Sequence, residues 1–198
     1  MDNVYLAAWQ EYTQNGASMN VLSWAAIWPA RERLVRQYSW AVPNDKALEE
    51  IALHSPIVEM GAGTGYWAQL LHERGVSVQA FDESPMEDGK NHFHNGGLFE
   101  NKKPTSFFPV SKGNPKLLCA HTNFTLFLCW PPMDEMAEEC LKYWKGSTLI
   151  YIGEGNGGCT ATDEFHEELE RSFELIKTID IPQWPGMHDY LGVYRRTQ

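Results

Sequence analysis

The sequence predicts an α/β fold in which a mostly parallel, seven-stranded sheet is covered by helices on both faces. From residue 57 onward, short apolar segments alternate with helical segments, as in parallel strands joined by crossover helices. The last two apolar segments have no helix between them, which predicts a C-terminal antiparallel hairpin. Because the first 55 residues read as helical, we expect one domain over 1–198, with an N-terminal helical extension at 1–55 and the sheet at 56–198.

The helical extension is predicted to contain three helices between residue 21 and residue 53. Apolar residues recur there at three- and four-residue spacing, which indicates a helix face: Val21, Leu22, Ala25 and Trp28. Pro29 suits the first turn of a second helix that runs to about Gln37, because that position needs no backbone N–H donor. Asn44 is predicted to cap a helix over 45–53.

The sheet part is predicted from apolar segments bounded by glycine, proline and polar residues. The predicted strands are 57–60, 76–81, 107–110, 124–129, 148–152, 175–181 and 191–195. The predicted helices among them are 66–74, 133–144 and 163–172. The polar stretch 83–106, rich in glycine and asparagine, is expected to be a mobile loop over the functional site.

The composition predicts a globular protein of the cytoplasm. Hydrophobic residues make up 43% of the chain, enough for a core, and no apolar run approaches the roughly 20 residues of a membrane span. The start of the chain lacks the basic and apolar regions of a signal peptide. Four cysteines lie far apart and are expected to be buried free thiols in a reducing compartment: Cys119, Cys129, Cys140 and Cys159.

The net charge of −10 argues against a nucleic-acid partner, because such binding draws on lysine and arginine to neutralise phosphates. The densest basic segment holds Arg31, Arg33 and Arg36 with Glu32 among them, and is interpreted as a solvated helix face. We therefore expect a small-molecule substrate and no membrane partner. The oligomeric state does not follow from the sequence.

A glycine-rich loop follows the first predicted strand, and an acid closes the second. Gly61, Gly63 and Gly65 allow close approach of a nucleotide-like ligand to the backbone at a helix N-terminus. Asp82 lies about twenty residues further on, where its carboxylate can accept hydrogen bonds from both hydroxyls of a ribose. A glycine turn in an unrelated α/β protein is the alternative.

The loop resembles motif I of the class I (Rossmann-like) methyltransferases. Glu59 precedes the glycines, and Tyr66 follows them where a dinucleotide-binding loop would have glycine or alanine, which disfavours an NAD enzyme. The resemblance extends from residue 57 to the end of the chain and implies S-adenosylmethionine as the cofactor. It places the cofactor on Glu59, Gly61, Ala62, Gly63, Gly65 and Asp82.

Other residues are assigned to the cofactor on weaker grounds. Asn114 follows the third strand and is a candidate partner of the adenine amine, with an ordinary turn as the alternative. Tyr38 and Trp40 are candidates to face the sulfonium, since aromatic faces attract cations, with core packing as the alternative. Trp130 opens a Trp-Pro-Pro-Met segment that resembles the Asn/Asp-Pro-Pro-aromatic motif of amino-group methyltransferases. It lacks the hydrogen-bond acceptor of that motif, and the alternative is a Pro-Pro turn that starts the next helix, with Trp130 packed in the core.

Two residues are predicted to be catalytic. Glu154, in the glycine-rich loop after the fifth strand, is a candidate to act as a general base or to orient a cationic substrate, with a flexible turn as the alternative. His188 lies between the last two strands beside Asp189 and is a candidate proton acceptor, with a surface turn as the alternative. The spacings of His92 with His94 and of Cys119 with His121 do not match a structural zinc site, so no metal is expected.

The resulting hypothesis is methyl transfer to a small polar or aromatic acceptor held near Trp130, Glu154 and His188. Two alternatives stay open. One is a module that binds the cofactor without catalysis, or regulates a partner enzyme, which the altered Trp-Pro-Pro segment keeps open. The other is an aminopropyl transferase, although the adjacent Asp-Asp pair expected for that activity after the fourth strand is missing.

Overall fold

The computed structural model describes residues 2–14, 21–94 and 105–197. Within them the chain forms one sheet with the order β3-β2-β1-β4-β5-β7-β6. The strands are β1 (Ile57–Met60), β2 (Val78–Asp82), β3 (Val110–Lys112), β4 (Thr125–Cys129), β5 (Thr148–Gly153), β6 (Phe173–Ile179) and β7 (Tyr190–Arg196). The first five are parallel, whereas β7 is antiparallel to both β5 and β6. The predicted mostly parallel sheet with a C-terminal hairpin is confirmed.

Helices cover both faces of this sheet, as predicted. They are α1 (Val4–Gln14), α2 (Val21–Gln37), α3 (Asp45–Ala52), α4 (Tyr66–Glu73), α5 (Met136–Tyr143) and α6 (Asp163–Ser172). Asn44 caps α3 by accepting the N–H of Ala47 at 2.9 Å. Neighbouring residues of β1 point to opposite faces: Ile57 packs with residues of α1 to α4, and Val58 with those of α5 and α6. The N-terminal helices therefore share a core with α4.

Two elements differ from the prediction in a way that matters for the site. Helix α2 runs through Pro29, which was wrongly predicted to begin a new helix. Ile27, Arg31 and Leu34 are buried at helical spacing on both sides of the proline, and burial of this face outweighs the one missing N–H. The predicted strand 107–110 begins three residues later, because Phe107 donates its N–H to the Thr64 carbonyl at 2.8 Å instead of pairing with β2.

The cysteines and the helix lengths give two further outcomes. All four cysteines are free, as predicted, but only Cys140 is fully buried, while Cys119 and Cys159 are exposed. No helix in the described part of the chain is both long and apolar enough to cross a membrane. Of the predicted loop 83–106, residues 95–104 lie outside the described residues, and a short 3₁₀ helix spans Met86–Asp88.

Candidate functional site

The glycine loop joins β1 to α4 and has the backbone conformation that its glycines allow. Gly61, Gly63 and Gly65 have φ values of +78°, +54° and +73°, which place all three in the left-handed region. A side chain is strained there, so the three glycines are required by the turn itself. Gly65 is the N-cap residue of α4, and the loop therefore lies at a helix N-terminus at the carboxyl edge of the sheet.

Asp82 ends β2, the strand next to β1, and its carboxylate points to the glycine loop. One oxygen, Oδ2, accepts the backbone N–H of Gly63 at 2.9 Å. The other, Oδ1, accepts the N–H of Ser84 at 2.8 Å and lies 3.4 Å from the side-chain nitrogen of Asn91. The structure thus brings together the glycine bend and the acid that the sequence analysis paired.

Side chains of this protein pack closely against the loop. A Cβ atom on Gly63 would lie 2.4 Å from Nε2 of His94, and a Cβ on Gly65 would lie 2.9 Å from Cβ of Phe108. Nδ1 of His94 is 2.9 Å from the Arg36 carbonyl oxygen, which fixes the ring over the loop. Burial lowers the pKa of His94, so the ring over Gly63 favours its neutral form.

Glu59 lies in the middle of the sheet and is almost inaccessible. The residue is only 2% exposed, and Oε2 has no hydrogen-bond partner among the described residues. Burial, together with the nearby charge of Asp82, raises the pKa of Glu59 to about 8. A buried carboxyl group with an unpartnered oxygen is costly, which makes this position a candidate contact for a cationic group of a ligand.

The two aromatic residues predicted near the sulfonium are placed differently from each other. Tyr38 stacks on Tyr5 and Phe107 within the core, and its carbonyl accepts the hydroxyl of Thr64 from the glycine loop. The Tyr38 ring is thus packed in the core, which was the alternative left open for this residue. Trp40 stacks on Trp130 with a centroid distance of 5.6 Å.

Trp130 is held in an unusual conformation at the end of β4. Its φ is +52°, which is strained for a residue with a side chain, and its N–H donates to the Ile152 carbonyl at 2.7 Å. Its indole Nε1 donates to Oδ2 of Asp189 at 2.8 Å. The ring therefore links the loops after β4 and before β7, and it offers a ligand no hydrogen-bond acceptor.

Glu154 and His188, the two predicted catalytic residues, lie next to each other. Oε1 of Glu154 accepts the backbone N–H of His188 at 2.7 Å and is 3.6 Å from Nδ1 of that residue. Oε2 accepts the N–H of Cys159 at 2.9 Å. Burial raises the pKa of Glu154, but these hydrogen bonds outweigh it and hold the pKa below its ordinary value. Glu154 thus joins two loops, while the His188 side chain is 84% exposed.

Asn114 lies at the adjacent edge of the sheet. Its Oδ1 caps the short 3₁₀ helix Pro115–Ala120 by accepting the N–H of Lys116 at 3.1 Å, which is the turn role left open for it. Gly113, just before it, donates its N–H to the Asp82 carbonyl at 2.9 Å, so Asn114 is close in space to the end of β2.

Two residues of this edge, Arg31 and Asp189, were not predicted from the sequence. Arg31 was wrongly assigned to a solvated face: it is 8% exposed, and its guanidinium lies 5.6 Å from the Trp130 ring centroid. Its spacing from Ile27 and Leu34 places it on their apolar face, a signal that the neighbouring charges obscured. Asp189, named only as the neighbour of His188, is 3% exposed and accepts the Trp130 indole N–H.

No group of three or more histidine, cysteine or acidic side chains within 2–14, 21–94 and 105–197 could hold a metal ion. The histidines of the two pairs whose spacing was considered for zinc have other contacts. Nδ1 of His94 lies near the Arg36 carbonyl, and His121 lies 3.0 Å from the Gln79 side-chain oxygen.

Comparison with known proteins identifies the fold. No model of a known protein family matches the chain, and no curated protein is similar in sequence. Magnesium protoporphyrin IX methyltransferase from Synechocystis PCC 6803, solved with S-adenosylmethionine bound, is similar with a TM-score of 0.51 and 12% identity, over 97% of this chain and 91% of that one. A mutant of MtNAS in complex with S-adenosylmethionine has a TM-score of 0.51 and 13% identity, over 98% and 76% of the two chains. The fold is the Rossmann-like fold of the class I methyltransferases.

Proposed function

We propose that this protein binds S-adenosylmethionine and transfers its methyl group to a small-molecule acceptor. The observation that carries the proposal is the hydrogen bond between the Gly63 N–H and the Asp82 carboxylate, which joins the glycine bend to the acid at one edge of the sheet. Ligands of open α/β sheets bind outside this carboxyl edge. The shared fold of two solved proteins that hold the same cofactor supports the proposal.

The residues of the loop fit the chemistry of this cofactor. An ionised carboxylate has about four lone-pair positions, and Gly63, Ser84 and Asn91 occupy three of those of Asp82, so it retains one position for a ribose hydroxyl. Glu59 supplies a buried oxygen without a partner, which suits the ammonium group of the methionine part. The ring of His94 packs on Gly63, and we propose that it moves aside when the cofactor reaches the loop.

When bound, the cofactor supplies a methyl group on a positively charged sulfur. The leaving group is therefore already activated, and the protein's main task is alignment, which contributes about 7–11 kcal/mol in favourable cases. Trp130, with Trp40 stacked on it, would form one wall of the site, and the loops joined by Glu154 would form another. The roles of Glu154 and His188 as catalytic groups remain predictions.

Titration calorimetry with S-adenosylhomocysteine, the product form of the cofactor, tests the binding step. We expect saturable binding with one molecule per chain and no binding of NAD, the control ligand. No binding of S-adenosylhomocysteine, or tighter binding of NAD, would contradict the proposal.

A cofactor-binding module without catalysis is the second candidate, and Trp130 favours it. An indole has only an N–H donor, and that of Trp130 is engaged by Asp189, so the side chain at the position that accepts an amine in amino-group methyltransferases offers no acceptor here. Incubation with radiolabelled S-adenosylmethionine and a panel of small acceptors separates the two functions. Tight cofactor binding without labelled product from any acceptor would favour the binding module.

A further inference from the structure

A buried arginine at the carboxyl edge of the sheet has no carboxylate partner among the residues that the structure describes. The guanidinium carbon of Arg31 lies 5.4, 5.5 and 5.6 Å from the ring centroids of Trp28, Trp40 and Trp130. Nη2 contacts the Met187 sulfur at 3.7 Å, and Nε is buried without a hydrogen-bond partner in the described part of the chain. A guanidinium has five N–H donors, so a thioether and three indole faces leave most of them without an acceptor.

An acidic group without a full set of partners lies in the same region. Asp189 is 3% exposed, and its Oδ2 accepts the Trp130 indole N–H. Its Oδ1 is buried and has no hydrogen-bond partner within 2–14, 21–94 and 105–197. Arg31 and Asp189 influence each other electrostatically, yet they form no ion pair within the described residues. This edge of the sheet thus holds the N–H donors of Arg31 and the acceptor Oδ1 of Asp189. Both groups are buried, and neither has its full set of hydrogen bonds.

This pair lies close to the proposed cofactor site. The thiol of Cys129, at the end of β4, is within electrostatic range of both Glu59 and Asp189. Trp130 follows Cys129 directly and contacts Asp189. Asp189 therefore lies at the same edge of the sheet, on the side of β5 and β7. An acceptor that contacts Asp189 would therefore lie at the edge where the glycine loop also opens.

Building on the proposed function, we propose that Arg31 and Asp189 bind the methyl acceptor, a small molecule with a carboxylate and a separate O–H or N–H group. The planar fork of Arg31 matches a carboxylate with two parallel hydrogen bonds. Asp189 and Glu154 are acidic groups near Arg31, and their negative charges repel an anion. They therefore favour a ligand with one negative charge over a phosphate with two. Oδ1 of Asp189 accepts the O–H or N–H, the group that is methylated.

Asp189 also receives the proton in this arrangement. As the acceptor oxygen or nitrogen bonds to the methyl carbon, its proton passes to Oδ1 of Asp189, and the sulfur keeps the electron pair of the broken S–C bond. Burial raises the pKa of Asp189 to about 6, although the Trp130 hydrogen bond opposes this shift. At neutral pH the group is then ionised and is a stronger base than an ordinary aspartate.

Binding of matched probes tests the role of Arg31. Saturation-transfer NMR at constant ionic strength measures the dissociation constants of three carboxylates: acetate, benzoate and 4-hydroxybenzoate. The corresponding neutral amides are measured in the same way. We expect at least one carboxylate to bind ten-fold or more tightly than its amide. Arg31→Met should abolish this preference, Arg31→Lys should reduce it, and Arg33→Ala, an exposed arginine on the same helix, should keep it. A preference that persists in Arg31→Met, or no preference in the wild type, overturns the proposal.

A second pair of probes tests Asp189. We expect 4-hydroxybenzoate to bind more tightly than 4-methoxybenzoate, which has no O–H, and Asp189→Asn to remove most of this difference. Equal binding of the two probes to the wild type overturns this part of the proposal. Arg31→Lys, Arg31→Met and Asp189→Asn should bind S-adenosylhomocysteine like the wild type. Failure of the wild type to bind S-adenosylhomocysteine would instead refute the proposed function. The two failures are distinguishable, because the carboxylate preference is also measured without S-adenosylhomocysteine.

Discussion

The carboxylate of Asp82 accepts the backbone N–H of Gly63 at 2.9 Å, across the gap between the ends of β2 and β1. Nineteen residues separate the two in the chain, and the parallel pairing of the strands brings them together. The bond holds the left-handed bend of Gly63 while leaving part of the carboxylate for a ligand. Loop shape and ligand affinity are therefore expected to depend on the same acid.

Replacing Asp82 with asparagine should weaken binding of S-adenosylhomocysteine at least ten-fold, or about 1.4 kcal/mol. The amide retains the size of the side chain but loses the charge that strengthens hydrogen bonds with ribose hydroxyls and with the Gly63 N–H. Calorimetry measures the change. Asp88→Asn is the control, because Asp88 is more exposed and pairs with Lys112 on the surface. Unchanged affinity in Asp82→Asn would remove Asp82 from the cofactor site.

Glu59 should make the stability of the protein fall with rising pH. Its pKa is about 8 in the folded protein and 4.5 as a free group, so the folded state holds the proton more tightly. The unfolded state then binds fewer protons between these values, and the free energy of unfolding decreases as the pH rises from about 4.5 to about 8. Urea unfolding at several pH values measures this slope. Glu59→Gln should reduce it, and an identical slope in the variant would contradict the assignment.

The parts of the fold that the sequence predicted are those with local signals. The strand 57–60 and the helix 163–172 match β1 and α6 because their apolar patterns are local, and the structure adds that Thr162 caps α6. The loop 61–65 and Asp82 were also predicted as a pair, since strand order fixes their distance in a parallel sheet.

Contacts between distant segments explain what was missed. Arg31 contacts Met187 across 156 positions, and Trp130 contacts Asp189 across 59. Neither partner is visible in a local window, and the charged neighbours of Arg31 suggest a surface position. The strand predicted at 107–110 was misplaced for the same reason, because the bond from Phe107 to Thr64 connects it to a distant loop.

Glu154 should contribute to stability through the two loops that it joins. Glu154→Ala removes the acceptor for the backbone N–H groups of His188 and Cys159 and should lower the free energy of unfolding by about 1–3 kcal/mol. His188→Ala is the control: its side chain is 84% exposed and its backbone N–H is retained, so the change should be within about 0.5 kcal/mol. Chemical denaturation compares them. Equal stability of the two variants would show that Glu154 does not hold the loops.

His94 should compete with the cofactor for the space above Gly63. Its ring would clash with any Cβ at that glycine, and it is fixed there by the contact of Nδ1 with the Arg36 carbonyl. A ligand that approaches the Gly63 backbone has to displace the ring and lose that contact. His94→Ala removes this cost, and we expect it to bind S-adenosylhomocysteine several-fold more tightly than the wild type. His92→Ala, an exposed histidine two residues away, is the matched control and should leave the affinity unchanged. Weaker binding in His94→Ala alone would mean that the imidazole contacts the ligand directly instead of occupying its place.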